Sequence, residues 1–448
     1  MGRYSFMTFE REGETLYRLI DRAANGLVEI TAACGMNVIR YSWQGQELIL
    51  SPPSLAALRE HPTRYGIPVL SFPGSTEQGK LVHRGVTYTL PPNRGPHHLH
   101  GEIGRLPWKV LKVGADEEHG AFITACYAYT DDPERFAYFP HAVQYTMTYR
   151  LKEGSLSLEV RAENKGERYA PFALGFHPYF RLTGGKERIH VQIPAWAEWE
   201  YDNAGHALHI QSDRKTAELL RRGARLNTVE PRLYVLECRN PETVDEACYS
   251  FQIVDEAASL QMEYEVDSQF SKLVLFLPEW SNAISLEPHT CVPNAFNLSL
   301  SPSETGALEL APGEINRLNW TISARRTQPL LPRHTSKRSK PDRADIAKAV
   351  DFINRHITER LSLQTIARQA NLVPSYFSTV FKKEMKESLV DYMNRRKIET
   401  AVELMKVSRY SNQELCDRVG IANEAYFCAL FKRKMGRTPG QYRKLMLF

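Results

Sequence analysis

SYFSTVFKKEM at Ser375–Met385 and AYFCALFKRKM at Ala425–Met435 are one phrase written twice, fifty positions apart. Apolar residues stand at i, i+3 and i+4 in both copies: Phe377, Val380 and Phe381, then Phe427, Leu430 and Phe431. That period predicts a helix with one buried face, to which the Tyr-Phe pairs are also assigned. Ser375, Ser378, Thr379 and Lys382 are left outward in the first copy, and Glu424, Ala425, Ala429 and Lys432 in the second.

A short helical pattern precedes each copy, carried by Ile366, Ala367, Ala370 and Leu372 in one and by Leu415, Cys416, Val419 and Ile421 in the other. Pro374 suits the first turn of a helix, Gly420 can make a tight turn, and Asn423 can cap. Each unit therefore reads as helix, turn, helix, near 362–384 and 411–434. Such a unit lays its second helix in the DNA major groove while flanking cations hold phosphates. Between the units, Ser388 to Lys406 reads as one helix of about 28 Å. Two reading helices so spaced enter successive major grooves, roughly 34 Å apart.

Charge agrees with this division. From Arg333 onward there are 24 Lys and Arg against 12 Asp and Glu, leaving 33 against 40 upstream. A basic tail on an acidic body predicts a polyanion partner for the tail alone. No run of about 18 apolar residues occurs and the charged start lacks a signal-peptide core, so no membrane role is expected and the cytoplasm is the expected compartment. Seven scattered cysteines without a C-x-x-C pair fit buried, reduced thiols.

Upstream, SLSLEVRAEN sets Leu156, Leu158 and Val160 on one face, and LQMEYEVDSQFSKLVLFL is similarly β-rich, with Gly, Pro and Asn at short intervals. The expectation is a large all-β sandwich over 1–324. RRTQPLLPRHTSKRSKPDR, 325–343, is basic, contains Pro and has no period, as a linker would. An all-α domain over 344–448 follows, making the chain multidomain.

The tail resembles the DNA-binding domain of the AraC/XylS family of bacterial transcription regulators. The resemblance rests on LSLQTIARQANLVPSYFSTVFKKEM, DYMNRRKIETAVELM and the closing G-x-T-P-x-Q-Y-R at Gly436–Arg443. It implies double-stranded DNA as partner, with RNA polymerase as a further partner and a homodimer as a candidate state. Family members commonly carry Arg where Thr379 and Ala429 stand, and a capping residue where Val373 does, so base contacts are expected to be fewer or displaced. The expected DNA-binding set is Ser375, Ser378, Thr379, Lys382, Lys383, Arg395, Arg396, Asn423, Glu424, Ala429, Lys432 and Arg433, with the cations on phosphates.

In the body, PPNRGPHHLHGEIGRLPW, FALGFHPYFRL and NAISLEPHT set His or Glu beside Gly, Pro and aromatics. One carboxylate and two imidazoles can deprotonate one sugar oxygen while protonating another, the work of opening and reclosing a hemiacetal. Over roughly Leu27 to Ser323 the body resembles the aldose 1-epimerase, galactose mutarotase-like, family, and with it a β-sandwich with an open cleft. That resemblance implies Glu287 as general base, His177 as general acid, His100 as a second hydrogen bond to the sugar, and Asp245 as a hydroxyl anchor. Trp108, Phe176, Tyr179 and Trp280 are expected to supply an apolar face. Where the family usually has an Arg after FP, this chain reads Gly74, Ser75 and Thr76. Loss of a charged donor costs about 1.5 to 3 kcal/mol, so grip or rate falls about tenfold or more, unless Arg84 or Arg94 compensates.

His98 and His100 would share a strand face as zinc-binding pairs do, but no well-spaced third ligand is present, so neither metal nor cofactor is expected. The reading is a sugar-sensing transcription regulator, with an active epimerase carrying a DNA-binding tail as the alternative.

Overall fold

The computed structural model describes residues 2–211, 213–239, 248–327, 343–358, 361–385, 387–407, 410–421, 423–435 and 437–446. The chain divides into two compact units, Met1–Gln328 and Pro329–Phe448.

In the first unit, strict alternation drives the strands. Ser155–Asn164 buries every second residue and pairs in register with Val143–Lys152, Leu158 opposite Tyr149. These two lie inside a nine-stranded antiparallel sheet running from Lys109–Asp116 to Ala224–Arg225. An eight-stranded sheet, in which Tyr234–Glu237, Lys272–Phe276 and Ala283–His289 are neighbours, supplies the other layer. A five-stranded sheet built from Tyr4–Arg11 to Gln46–Glu47 and three two-stranded sheets, one pairing His98–Leu99 with Ser75–Thr76, accompany them. Between the layers Trp320 meets Tyr149, Tyr264 and Phe176 at ring distances of 5.9, 5.5 and 5.7 Å. These aromatics are fully buried and dominate the core, as large apolar rings do.

The last strand, Ile315–Arg326, reaches two residues into the expected linker. Arg326 stays in the body because its guanidinium donates to Ala258 O at 3.1 Å and lies 5.8 Å from the Trp43 ring. Within the remainder of the linker, 328–342 lie outside the described residues. Of the seven cysteines, Cys248 is exposed, against expectation, and the others are buried or half-buried.

The second unit is helical: Ala344–Arg355, Leu363–Gln369, Pro374–Met385, Leu389–Val407, Asn412–Arg418, Glu424–Met435 and Pro439–Met446. Two separate apolar cores form. Phe377, Phe381 and Tyr392 belong to one, and Ile398, Phe427, Phe431 and Tyr442 to the other. Leu389–Val407 supplies side chains to both. Among the described residues no helix is long and apolar enough to cross a membrane.

Candidate functional site

Ser285, Glu287 and His289 alternate along Ala283–His289, so the pleat turns all three to one face while Ile284 and Leu286 enter the core. The neighbouring strand is in register with Val274 opposite Glu287 and Phe276 opposite Ser285. His177 comes from the other side, its backbone N–H donating to Pro68 O at 2.9 Å. Glu287, His289, His177, Val274 and Phe276 line a cleft of about 400 Å³, together with His100, Tyr179, Trp280, Ser75, Arg64 and Arg94.

His177 Nε2 lies 3.2 Å from Glu287 Oε1, and His289 Nε2 lies 3.5 Å from Glu287 Oε2. The Glu287 carboxyl is 3% exposed and His177 8% at the side chain. Burial pushes the Glu287 carboxyl well above the ordinary carboxylate range. Burial first, and the neighbouring His289 second, lower His177 to about 3, and burial lowers His289 to about 3 as well. Burial thus disfavours the charged form of all three groups. Tyr179 stacks on His177 at 4.6 Å, with its hydroxyl 3.3 Å from Nε2.

His100 stands 5.5 Å from His177, ring to ring, and its Nδ1 accepts the Gly74 N–H at 3.2 Å. Its Nε2–H is therefore the donor left for a ligand. Burial and adjacent charges hold this imidazole well below its ordinary pKa range. Gly74 has φ +79°, and a Cβ there would approach Pro293 within 2.6 Å, so a larger residue is excluded. Ser75, in the Gly74–Thr76 stretch that follows Phe72 and Pro73, has its hydroxyl 3.1 Å from His206 Nε2.

Glu287, His177, His100, Tyr179 and Trp280 are thus brought together as the sequence led us to expect. Two expected contributors are not. Phe176 faces away from the cleft because the strand pleat sends it opposite to His177, into contact with Phe270 and Trp320. Trp108 is buried against Tyr127, with its indole N–H satisfied by Ile103 O at 2.9 Å. Asp245 lies outside the described residues. His98 and His100 do not share a strand face: the strand is His98–Leu99 only, His100 has φ +65°, and His98 Nδ1 is engaged by Pro91 O. Arg84 is committed to Glu309 through Nε and Nη2 and is no cleft residue. The residues missed were His289 and Ser285, both inside NAISLEPHT, and Arg64; the period-two alternation around Glu287 was the available signal.

In the second unit both helix-turn-helix elements form. Ser362 caps Leu363–Gln369 by accepting from Thr365 N at 3.1 Å, and Ser411 with Glu414 makes a capping box on Asn412–Arg418. Asn371 (φ +54°) and Gly420 (φ +63°) occupy the same place in the two turns, each in the left-handed region that lets the chain reverse. Asn423 caps Glu424–Met435, accepting from Tyr426 N at 2.9 Å. Lys397 on the spacer helix donates to Gly420 O at 2.7 Å.

Phe377, Val380, Phe381, Phe427, Leu430 and Phe431 are buried as expected. Tyr376 and Tyr426 are not: they are 51% and 49% exposed, one on each second helix, because they fall off the i, i+3, i+4 stripe. Thr379, Lys382, Lys383, Asn423, Glu424, Ala429, Lys432 and Arg433 are exposed. Ser378 is half-buried, its hydroxyl turned back on Pro374 O at 3.0 Å rather than outward. The Ser375 side chain lies outside the described residues. Arg395 is paired with Glu387 and Glu399, at 2.7 and 2.9 Å, and Arg396 with Glu399 and with Asn354 at 2.8 Å. Both guanidinium groups are thus engaged within the domain, unlike Lys382, Lys383, Lys432 and Arg433, which make no ion pair among the described residues.

An antiparallel sandwich with this His–Glu cleft defines the galactose mutarotase-like class, and a double helix-turn-helix of AraC type follows it. Residues 19–323 match the aldose 1-epimerase family, so the chain belongs to that family, and residues 366–445 match a helix-turn-helix domain. A galactose mutarotase-like protein from Clostridium acetobutylicum superposes with a TM-score of 0.65 at 20% identity, covering 72% of this chain and 99% of that one. Galactose 1-epimerase from Lactobacillus acidophilus gives 0.58 at 18%, with the same coverage. The regulatory protein PocR of Salmonella typhimurium is 28% identical over 128 residues, 29% of this chain and 42% of its own length. The bifunctional transcriptional activator and DNA repair enzyme AdaA of Bacillus subtilis is 30% identical over 105 residues, 23% of this chain and 50% of its own length. The chain therefore spans half or less of these two curated relatives.

Proposed function

We propose that this protein is a cytoplasmic, sequence-specific, DNA-binding transcription regulator that senses a sugar through its epimerase-like domain. The observation that carries the reading is the union, in one chain, of a cleft that gathers Glu287, His177 and His100 with two capped helix-turn-helix units. The exposed Lys382, Lys383, Lys432 and Arg433 would hold phosphates, and Thr379, Ala429 and the two exposed tyrosines would face base edges. RNA polymerase contact and a homodimer fit this role as parts of the same proposal. Sensing requires that the sugar bind the DNA-competent and DNA-incompetent states with different affinity, typically by 5- to 150-fold, on the order of other coupled sites. Footprinting of genomic fragments with the full-length chain, with and without a sugar panel, tests it. A sugar that shifts DNA affinity by about fivefold or more is expected; DNA binding that no bound sugar alters would remove the sensing role.

A second reading, residual mutarotation, is favoured by the 3.2 Å approach of Glu287 and His177. One proton serves both groups. Its transfer from the Glu287 carboxyl to His177 Nε2 leaves a carboxylate to take the anomeric hydroxyl proton and an imidazolium to give one to the ring oxygen, so the ring C–O bond breaks and the carbonyl forms. Reversal on the other face of the carbonyl recloses the ring with both groups restored.

A further inference from the structure

Arg64 and Arg94 both line the cleft, both are exposed, and neither makes an ion pair with a carboxylate among the described residues. The backbone of Arg94 and the guanidinium of Arg64 have defined neighbours. Arg94 sits in a hairpin closed by reciprocal backbone bonds with His97, both 3.1 Å. The Asn93 side chain ties that hairpin to Leu99 at 2.7 and 3.0 Å. The Arg64 guanidinium lies 5.6 Å from the Trp280 ring, whose other neighbours are Tyr65 and Tyr179.

Against these two cations the described lining offers one carboxyl, Glu287, buried under His177 and His289 where its charged form is disfavoured. The described lining is thus cationic on balance. A neutral sugar leaves that charge uncompensated, whereas an anionic substituent takes up guanidinium donors in charge-assisted, two-pronged bonds. Depth fixes the orientation. The acid–base couple is buried and the arginines are exposed, so the anomeric carbon lies inside and the anionic group at the mouth.

We propose that the cleft selects an aldose carrying an anionic group at the end remote from its anomeric carbon, a carboxylate or a phosphate, held by Arg64 and Arg94. The proposal rests on reading the cleft as a sugar site. Calorimetry on the full-length chain, at low salt, compares matched triplets: glucose, glucuronate and the terminally phosphorylated glucose, and the same three forms of galactose. An acidic member is expected to bind about tenfold or more tightly than its neutral counterpart. The uronate and phosphate arms distinguish the two sources of charge. The gap should close in the Arg64→Gln, Arg94→Gln double variant. Equal or tighter binding of the neutral sugar overturns the proposal and leaves the sugar site standing. A preference for the acid that survives both substitutions overturns it too. No binding by any of the six removes the sugar-site reading, and this inference with it.

Discussion

His177 Nδ1 lies 2.8 Å from the Ser285 hydroxyl, which lies 2.9 Å from Pro178 O. A carbonyl only accepts, so the hydroxyl donates to it and accepts from the imidazole: Nδ1 carries the proton, and Nε2 presents a lone pair to Glu287. Ser285→Ala should orphan that buried N–H at a cost of about 1 to 3 kcal/mol. Urea unfolding is the measurement; an unchanged midpoint would mean the ring is not held this way.

Glu287→Gln should abolish any mutarotation of a sugar that the cleft binds, read by polarimetry, while leaving the melting temperature unchanged or raised, because an amide removes a buried ionisable group. Turnover that survives the substitution would move the base elsewhere.

The buried imidazoles set an acid limit. His177 and His289 each drop from 6.5 to about 3 in the fold, and His141, buried beside His83, drops to about 4. The unfolded chain binds these protons first, so the contribution of these histidines to stability is full above pH 6.5 and is lost as pH falls towards 3 to 4. Melting curves of His141→Gln should show a shallower decline across that window than the parent.

On the DNA side, Lys382→Ala and Lys432→Ala should weaken binding alike on every sequence and each reduce the salt slope by about 1. Tyr376→Ala and Tyr426→Ala should instead change sequence preference. Band shifts at several salt concentrations separate the two patterns, and the reverse assignment would show that the faces were read wrongly.

Phe431→Ala should cost about 3 to 5 kcal/mol by opening a cavity in the second core. Because Phe377 and Phe381 sit in a different core, hydrogen exchange should rise across Asn412–Met435 while Pro374–Phe381 keeps its protection. Loss of protection in both would make the two units one cooperative block.

The two-part architecture was legible because its signals are periodic: alternation at Leu156, Leu158 and Val160, and the i, i+3, i+4 stripe at Phe377 and Phe381. Glu287, His177 and His100 were legible through resemblance together with residue type. What failed depended on direction. Phe176 and His177 are adjacent, and only the pleat decides which one meets a ligand. Trp108 found a carbonyl for its indole N–H inside the core, a pairing no local pattern announces. Arg395 and Arg396 read as free cations until Glu387, Glu399 and Asn354 were seen beside them. Asn371 escaped notice because its left-handed backbone, unlike that of Gly420, is not advertised by glycine.

The spacer Leu389–Val407 places Leu389 and Tyr392 in one core and Ile398, Ala401 and Val402 in the other. Inserting one residue between Tyr392 and Ile398 would turn the second unit by about 100° and advance it about 1.5 Å. The spacer is thus a phase-setting axle: its residue count, more than either reading surface, fixes whether both units meet the same side of a duplex.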